Sequence, residues 1–471
     1  MSGAWVRELR AILGPDHVLT DPAEVQLYQY DGSIERGRPD GVVFPADKQQ
    51  VVEIVRVANR YRLPLTARGA GTGLSGGSLA RHGGIQVVFS RMRRILHLDP
   101  DNLLAVVEPG VVNWELSQAA ARWGLHFAPD PSSQRACTIG GNVAENAGGP
   151  HTLAYGVTAN HVLALEVVTA EGRLLRLGST TGDPAGYDLV ALMVGSEGTL
   201  ALAVEITVRL TPLPEAVRTL LAIFDTTDDA TATVAALTAA GITPVACEMM
   251  DGWSIRMVEA WVQAGLPVDA AALLLIEVDG LREEAEEKAE KVAAVCRAHR
   301  AREVRLARDA DERERLWKAR KNAFGAVGRV APNCYVQDGV IPRTRLPETL
   351  RRIAEIGRRY GFDIGNVFHA GDGNLHPMIV FDQRQPGALE RARAAADEII
   401  ALCVSLGGSI TGEHGVGMEK DHLMLLLFTE ADLELMRRVH NALDPDDRLN
   451  PGKIFPAGKL CGEIRAVTAR A

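Results

Sequence analysis

The sequence predicts an α+β fold in two main parts, and a change of pattern near residue 214 indicates where the first part ends. Residues 41–214 combine many glycines with short β-branched runs, whereas the residues after them alternate strand-like and helix-like segments. Pro212-Leu213-Pro214 is expected to link the parts, because its prolines end the strand-like run Leu202–Leu210.

The first part is predicted to place a helix among short strands, after an N-terminal helix and turn in residues 1–36. Lys48–Tyr61 directs its valines and Ile54 to one face, as an amphipathic helix does. The segments expected to form strands are Val42-Val43-Phe44, Leu65–Arg68, Leu103–Pro109 and Ala164–Leu177, the last of them a hairpin about Glu171-Gly172.

The second part follows the order strand, helix, strand, strand, helix, which is the ferredoxin-like pattern of a sheet covered by helices. The segments in that order are Leu220–Phe224, Asp228–Ala240, Pro244–Met250, Leu273–Val278 and Arg282–His299. Leu346–Tyr360 is a further amphipathic helix and leads to a hairpin that contains two histidines.

The composition is that of an ordinary soluble globular protein. Of 471 residues, 46% are hydrophobic and 24% are charged, and the formal net charge of −9 argues against nucleic-acid binding. We expect no signal peptide and no transmembrane segment, since the longest apolar stretches, Ala271–Val278 and Leu423–Phe428, are too short. The six cysteines form no Cys-x-x-Cys pair, which favours a reducing cytoplasm and excludes a recognisable iron–sulfur motif.

The segment His369–His376 (HAGDGNLH) is the most informative part of the chain. Asp-Gly at its centre favours a two-residue type I′ turn, in which both residues have a positive φ. Such a turn would place His369 opposite His376, with their Cβ atoms ~4.5–5.5 Å apart. Two imidazoles at that spacing can share a divalent metal, and the alternative is a cross-strand aromatic pair.

The segment Thr411–Gly417 (TGEHGVG) adds a carboxylate and a histidine in a glycine-rich turn. With His369 and His376, Glu413 would give two imidazoles and one carboxylate, a set that leaves coordination positions open for catalysis. Zinc or manganese suits this set better than magnesium. His414 would then remain beside the metal as a base; the alternative is that Glu413 and His414 form a capping pair.

A glycine-rich loop after the predicted strand Leu65–Arg68 suits an anionic diphosphate. The residues that would form this cradle are Arg68, Gly69, Gly71, Thr72, Gly73, Ser75 and Gly76. Its spacing also satisfies the dinucleotide fingerprint, but no helix is expected after it and no acidic residue ends the next strand, so a Rossmann NAD site is not expected. A second tract, Thr138–Gly149, would let the backbone approach a flat ligand closely.

These loops and histidine segments belong to a longer series of motifs. The series is Arg68–Gly77, Pro131–Gly149, Gly195–Leu200, Trp317–Ala323, His369–His376, Gly412–Gly417 and Leu449–Lys453. The first three resemble the FAD-binding domain of the vanillyl-alcohol oxidase / p-cresol methylhydroxylase superfamily. The other four resemble the family of bacterial glycolate oxidase flavoprotein subunits and FAD-dependent D-lactate dehydrogenases.

The resemblance implies a two-part FAD-binding domain of the vanillyl-alcohol oxidase type and a ferredoxin-like cap domain with an antiparallel sheet. The expected divisions are an N-terminal helical segment (1–36), the FAD-binding domain (37–214), a substrate or cap domain carrying the metal hairpin (215–410), and a C-terminal segment completing the active site (411–471). FAD is expected to be non-covalent, because no His or Cys in the two tracts stands out as an attachment site; His151 is the least unsuitable.

The resemblance also assigns roles to individual residues. The diphosphate would lie on the first loop, and Asn450 near the isoalloxazine. His369, His376 and Glu413 correspond to metal ligands, His414 to the base, and Arg320 to the clamp on the substrate carboxylate. The implied reaction converts a small D-2-hydroxy acid into the 2-oxo acid, with hydride passing to flavin N5. The further cofactor contacts that it implies are Pro131, Ser132, Gly140, Gly141, Asn142, Asn146, Glu197, Ile206 and Asn450.

Two positions favour a monocarboxylic substrate, glycolate or D-lactate. Relatives that act on D-2-hydroxyglutarate place a lysine and an asparagine where this chain has Val336 and Met378. A second carboxylate there would be buried without a partner, at a cost of several kcal/mol.

Other interpretations remain open at this point: a D-2-hydroxyglutarate-type dehydrogenase, a metallohydrolase built on His369, His376 and Glu413, and a non-catalytic flavin-binding subunit of an oxidase complex. A metallohydrolase would not explain the glycine tracts, and a non-catalytic subunit would not explain Arg320 and His414. The expected partners are the substrate and, by resemblance, a sister flavin subunit and an iron–sulfur subunit. The expected location is the cytoplasm, or the periphery of the inner membrane through those subunits.

Overall fold

A computed structural model of the chain describes residues 2–181 and 185–456. These residues form two compact units. The first unit comprises residues 2–148, 157–181, 185–213 and 413–456, and the second comprises residues 149–156 and 214–412. Cys461 lies outside the described residues.

The first unit combines two main sheets and one two-stranded sheet, Leu125–His126 with Thr211–Pro212, with helices. Its strands are Val18–Leu19, Gly41–Val43, Leu65–Arg68, Ile85–Val88, Ile95–Asp99, Leu104–Val107, Leu125–His126, Val162–Thr169, Leu174–Gly178, Ala201–Arg209 and Thr211–Pro212. Its helices are Ser2–Leu13, Pro22–Val25, Lys48–Tyr61, Asn113–Ala121, Ile139–Glu145, Leu189–Met193, Met424–Leu427 and Glu430–Leu443.

One sheet of the first unit contains the strand that leads into the glycine loop. Leu65–Arg68 and Gly41–Val43 both pair in parallel with Ile85–Val88. The helix Lys48–Tyr61 begins at Asp47, whose side chain accepts a hydrogen bond from Gln50 N, and its predicted apolar face is buried in the core beside this sheet. The glycine loop therefore starts from a rigid, buried strand end.

The other sheet of the first unit is antiparallel. Its strands lie in the order Ile95–Asp99, Leu104–Val107, Ala201–Arg209, Val162–Thr169 and Leu174–Gly178. The last two strands form the hairpin predicted about Glu171-Gly172, and Gly172 has the positive φ (75°) that such a turn favours.

The second unit confirms the ferredoxin-like prediction. Its strands are Ala216–Phe224, Ala246–Asp251, Ala272–Gly280, Glu303–Leu306, Asn333–Val336, Gly339–Val340, Ile364–His369, Asn374–Leu375 and Pro377–Phe381. Its helices are Thr152–Tyr155, Thr227–Ala239, Gly252–Val262, Arg282–Ala298, Ala310–Lys321, Ala323–Val327, Leu346–Tyr360 and Ala388–Ser405.

The sheet of the second unit extends beyond the ferredoxin-like core towards the histidine hairpin. Ala216–Phe224 lies between Glu303–Leu306 and Ala272–Gly280, and all its pairings are antiparallel. Ala246–Asp251 then pairs on one side with Ala272–Gly280 and on the other with Ile364–His369. The core sheet thus carries the first strand of the hairpin as its direct neighbour.

The residues after Gly412 pack with the first unit, and the expectation that the segment from residue 411 completes the active site stays a prediction. Leu449 lies in the core of the first unit, and Asn450 N donates a hydrogen bond to Leu65 O (2.6 Å). These contacts attach the motif Leu449–Lys453 to the strand that precedes the glycine loop. Across the described ranges, no helix combines the length and apolar character that a membrane span needs.

Candidate active site

The first unit contains a cavity of about 740 Å³, a volume that includes the open solvent at its mouth. The predicted cofactor contacts among its lining residues are Arg68, Gly69, Gly140, Gly141 and Glu197. Apolar side chains such as Phe89, Leu165 and Val167 also line it. A guanidinium, bare glycine backbone and apolar walls together suit a large flat ligand that carries phosphates.

The two glycine tracts approach each other so closely that a larger residue would not fit. A Cβ atom on Gly69 would lie 2.3 Å from Thr138 Oγ1. Thr138 in turn caps the helix Ile139–Glu145 and accepts a hydrogen bond from Gly141 N (3.2 Å). Residues 69–84 form only turns and bends, so the helix required by a Rossmann site is absent from this described segment, as predicted.

Arg68, which lines the cavity, indicates that the cavity takes an anion. Arg68 is 7% exposed, and its Nη1 atom has no hydrogen-bond partner within the described residues; the same is true of Ser75 Oγ. Burial lowers the pKa of the Arg68 guanidinium, with Asp31 opposing the shift. A buried donor without a hydrogen-bond partner is costly, so a diphosphate that accepts hydrogen bonds from these donors would stabilise the site. The residues present therefore fit FAD.

Several other predicted cofactor contacts pack in the core of the first unit or form hydrogen bonds within it. Ile206 is fully buried in the core of the antiparallel sheet. Asn142 accepts a hydrogen bond from Asn113 Nδ2 (2.9 Å), and Asn146 Oδ1 accepts one from Ala159 N (2.9 Å).

Pro131 and Ser132 lie in a turn, where Ser132 is exposed. Asn450 is buried and donates from Nδ2 to Gly77 O (2.8 Å) and Glu197 O (2.7 Å). It therefore ties the C-terminal motif to the glycine loop.

Glu145 and Glu197 form a buried pair of carboxyl groups beside the cavity. Glu197 accepts hydrogen bonds from Val416 N (2.7 Å) and Gly417 N (2.8 Å), whereas Glu145 Oε2 has no partner within the described residues. Burial and then the Glu197 charge raise the pKa of Glu145 well above its ordinary value of 4.5. Burial also raises the pKa of Glu197, against the two backbone donors. The larger upward shift is that of Glu145, so we expect Glu145 to be the carboxyl that keeps its proton.

The proton on Glu145 leads to a prediction about how the stability of the protein changes with pH. The native state keeps the Glu145 proton above pH 4.5, where the unfolded chain loses it, so the stability should fall as pH rises from 4.5 through the raised pKa. Glu145→Gln keeps a neutral side chain at every pH and should lessen that fall. The measurement is the thermal midpoint of the holoenzyme from about pH 5 to about pH 8. The exposed Glu171→Gln is the control, and parallel curves for wild type and Glu145→Gln would contradict the assignment.

In the second unit, the histidine hairpin does not contain the predicted type I′ turn. His369 pairs with Asn374, so residues 370–373 form a four-residue connection, and among them only Gly373 has a positive φ (78°). Asp372 Oδ1 accepts a hydrogen bond from Asn374 N (3.2 Å), which stabilises the longer turn. The predicted register, with His369 directly opposite His376, was therefore wrong.

The two histidines nevertheless lie together. His376 is the diagonal neighbour of His369, within reach for large side chains, and the ring centroids are 5.0 Å apart. His369 Nδ1 lies 2.8 Å from Glu248 Oε1, and His376 Nδ1 lies 3.3 Å from Gln337 O. With Nδ1 of both rings directed at acceptors, Nε2 is the nitrogen of each that would bind a metal, so the donor set fits a divalent cation.

Arg320 lies beside His369 and is paired with a buried carboxylate. Arg320 is 5% exposed, and its Nη2 atom lies 2.5 Å from Glu248 Oε2 and 3.4 Å from His369 Nδ1. Its Nε atom is buried without a partner among the described residues. Burial opposes ionisation of Glu248, but Arg320 and His369 outweigh it and lower the pKa of that carboxyl. The helix Ala310–Lys321 thus places the Arg320 guanidinium beside the hairpin.

Asp338 anchors the start of the second predicted segment to the hairpin. Its Oδ1 atom accepts a hydrogen bond from Asn374 Nδ2 (2.7 Å), and its Oδ2 atom accepts from Gly412 N (3.0 Å) and Thr411 Oγ1 (2.5 Å). A Cβ atom on Gly412 would lie 2.3 Å from Asn374 Nδ2, so only glycine allows this approach. Glu413 and His414 follow directly and are counted with the first unit.

Val336 and Met378 form an apolar pair near the histidines. They are cross-strand partners, and both belong to the apolar core of the second unit. Val336 lies two residues before Asp338, and Met378 lies two residues after His376. His151, by contrast, lies in the second unit against Glu277 (3.3 Å), with Trp317 beside its ring.

Glu248 is the residue that the sequence interpretation missed. It is 1% exposed and lies in the strand Ala246–Asp251, between apolar neighbours. A carboxylate between the apolar residues Cys247 and Met249 in the middle of a strand was the available signal, because a buried charge requires a partner. Asp338 carried a weaker signal, as an acidic residue two positions after the end of the strand Asn333–Val336.

Comparison with known proteins decides the family. A family model described as FAD linked oxidases, C-terminal domain, matches residues 213–454, and one described as FAD binding domain matches residues 39–178. The chain belongs to the FAD-linked oxidases. It is 48% identical to glycolate oxidase subunit GlcD of Escherichia coli (strain K12), a match that covers 96% of this chain and 90% of that one.

Two further relatives and two solved structures agree. This FAD-linked oxidase is 39% identical to glycolate oxidase subunit GlcD of Bacillus subtilis (strain 168), covering 95% and 96% of the two chains. It is 35% identical to a D-lactate dehydrogenase of Archaeoglobus fulgidus, covering 88% and 90%. The fold matches p-cresol methylhydroxylase with substrate bound, with a TM-score of 0.83, 18% identity and coverage of 96% of each chain. It also matches 4-ethylphenol oxidase from Gulosibacter chungangensis, with a TM-score of 0.79, 20% identity and coverage of 96% and 97%.

This FAD-linked oxidase is thus an FAD-dependent oxidoreductase with the α+β fold predicted from its motifs. Family membership leaves the metallohydrolase interpretation without support.

Proposed function

We propose that the protein oxidises a small D-2-hydroxy acid, glycolate or D-lactate, to the corresponding 2-oxo acid. The observation that carries the proposal is the position of Arg320 beside the histidine pair, with a buried Nε atom that lacks a hydrogen-bond partner among the described residues. A guanidinium binds a carboxylate, and a metal held by imidazoles binds a hydroxyl. A 2-hydroxy acid carries these two groups on adjacent carbons.

The proposed metal ligands are His369, His376 and Glu413, with zinc or manganese as the cation. The anchoring of Gly412 to Asp338 supports the inclusion of Glu413, because it starts the glycine turn from a point hydrogen-bonded to the hairpin. The cation would supply Lewis-acid polarisation of the α-hydroxyl.

In the proposed reaction, Arg320 holds the substrate carboxylate and thereby fixes the α-carbon. His414 accepts the proton of the α-hydroxyl at a ring nitrogen. Bound FAD would supply the two-electron acceptor, with N5 as the hydride acceptor. The orphaned donors of Arg68 and Ser75 support placement of the diphosphate on the glycine loop.

We also infer that FAD is bound without a covalent link. Cys137, in the second tract, is buried, and burial raises the pKa of its thiol, so the reactive thiolate is scarce. His151 is engaged by Glu277 in the second unit. The names of two relatives, glycolate oxidase subunit GlcD, support assembly with further subunits. A sister flavin subunit and an iron–sulfur subunit are the partners that the motif resemblance implies.

Substrate choice tests the proposal. Turnover of glycolate, D-lactate and D-2-hydroxyglutarate should be compared with an artificial dye as acceptor. D-2-Hydroxyglutarate should have a kcat/KM at least about tenfold lower than the better monocarboxylate, because its distal carboxylate would meet Val336 and Met378. A preference for D-2-hydroxyglutarate would contradict this substrate class, and no turnover of any 2-hydroxy acid would contradict the proposed reaction.

A further inference from the structure

We propose that Glu248 is a positioning residue that sets the orientation of both His369 and Arg320. This inference deepens the proposed function and rests on it. Glu248 lies directly opposite His369 in the ladder between Ala246–Asp251 and Ile364–His369. Its place on a central strand of the sheet gives it little freedom to move.

One carboxylate serves two partners. The Glu248 Oε1 and Oε2 atoms lie 2.8 and 3.0 Å from His369 Nδ1, and Oε2 also lies 2.5 Å from Arg320 Nη2. The two nitrogens are themselves 3.4 Å apart. Glu248 is 1% exposed, so water does not compete for these contacts.

The contact with His369 determines which ring nitrogen can bind a metal. A carboxylate accepts a hydrogen bond, so the His369 proton is held on Nδ1, and the lone pair is left on Nε2. Carboxylate partners of this kind fix the ring orientation and raise the basicity of a ligating histidine. Glu248 would therefore raise the affinity of the hairpin for a divalent cation.

The contact with Arg320 determines which donors can reach a substrate. Glu248 occupies Nη2, whereas Nε is buried without a partner among the described residues. The hydroxyl and carboxylate of a 2-hydroxy acid are separated by a single carbon–carbon bond. The groups that bind them must therefore be held at a fixed separation, and Glu248 links them directly.

The test is Glu248→Gln, which keeps the shape of the side chain and removes its charge. The dissociation constant for Zn²⁺, measured by competition with a chelator on metal-stripped, FAD-loaded enzyme, should rise about 10–100-fold. At saturating Zn²⁺, the KM for glycolate should also rise, because the charged contact that holds Arg320 Nη2 in place is weakened. The matched control is Glu398→Gln, which removes another buried carboxylate of the same unit, paired with Arg359 (2.5 Å). The control should change neither value.

The outcomes separate this inference from the proposed function. If the wild type binds Zn²⁺ and Glu248→Gln matches it in both Zn²⁺ affinity and KM for glycolate, the positioning role is wrong and the metal site stands. A wild type that binds no divalent cation overturns the metal site and the positioning role together. An unchanged metal affinity with a raised KM would limit Glu248 to Arg320 and overturn its proposed link to His369.

A second variant covers the case in which Glu248→Gln does not fold, because it leaves Arg320 buried without a counter-charge. The double variant Glu248→Gln/Arg320→Met removes both charges. Its Zn²⁺ dissociation constant should rise by the same factor as that expected for the single variant, and a value equal to that of the wild type would overturn the inference.

Discussion

Treatment of the purified enzyme with a chelator should abolish turnover of 2-hydroxy acids and leave the flavin absorption spectrum intact. His369 and His376 already direct their Nδ1 atoms to acceptors, so removal of a cation would leave the hairpin folded. Loss of Lewis-acid stabilisation is worth several kcal/mol, which corresponds to a rate decrease of roughly 10²–10⁴-fold. Re-addition of Zn²⁺ or Mn²⁺ should restore the rate.

The retained flavin spectrum is the internal control, since the cavity with Arg68 lies entirely within the first unit and the histidine pair within the second. Elemental analysis before and after chelation should follow the loss of activity. Full turnover by enzyme shown to contain no metal would contradict the metal proposal, whatever the similarity to relatives.

Replacement of the proposed base gives the second large effect. His414→Ala should lower kcat by ~10²–10⁴-fold and leave KM nearly unchanged, because a base acts in the proton-transfer step. The control is His97→Ala, which removes a histidine that is largely exposed in the same unit. An equal loss in both variants, or a large rise in KM for His414→Ala alone, would argue against a base at this position.

A change at Arg320 should give the opposite pattern. Arg320→Lys keeps a positive charge next to Glu248 but loses the two-pronged geometry that matches a carboxylate. Its kcat/KM should therefore fall by roughly 10–150-fold, mainly through KM. The contrast between the two variants separates substrate binding from proton transfer.

Much of the fold could be predicted from the sequence because it depends on local pattern. The valine-rich face of Lys48–Tyr61 and the strand and helix order after residue 214 both follow from periodicity, and both are in the structure. The turn of the hairpin was harder to predict from the sequence, because Asp372-Gly373 suits more than one turn length. The longer turn forms because neighbouring strands fix the register of the hairpin. The local sequence carries no information about those strands.

The same reason explains which site residues were found. His369 and His376 are near each other in sequence, so a hairpin was enough to bring them together. Glu248 is separated from His369 by 121 positions, and only the strand order of the sheet makes them neighbours. Asp338 reaches Gly412 from 74 positions away for a similar reason.

The pairing of Glu248 with Arg320 also bears on the electrical balance of the occupied site. These two buried charges cancel, and the imidazoles of His369 and His376 would be neutral as ligands. A divalent cation would then be opposed by Glu413, by the buried carboxylate of Asp338 and by one substrate carboxylate, so no positive charge is left over. A dicarboxylate would add a surplus negative charge in a dry environment, where an uncompensated charge is costly. Selection for a monoanion would thus follow from the sum of the charges as well as from the apolar pair Val336 and Met378.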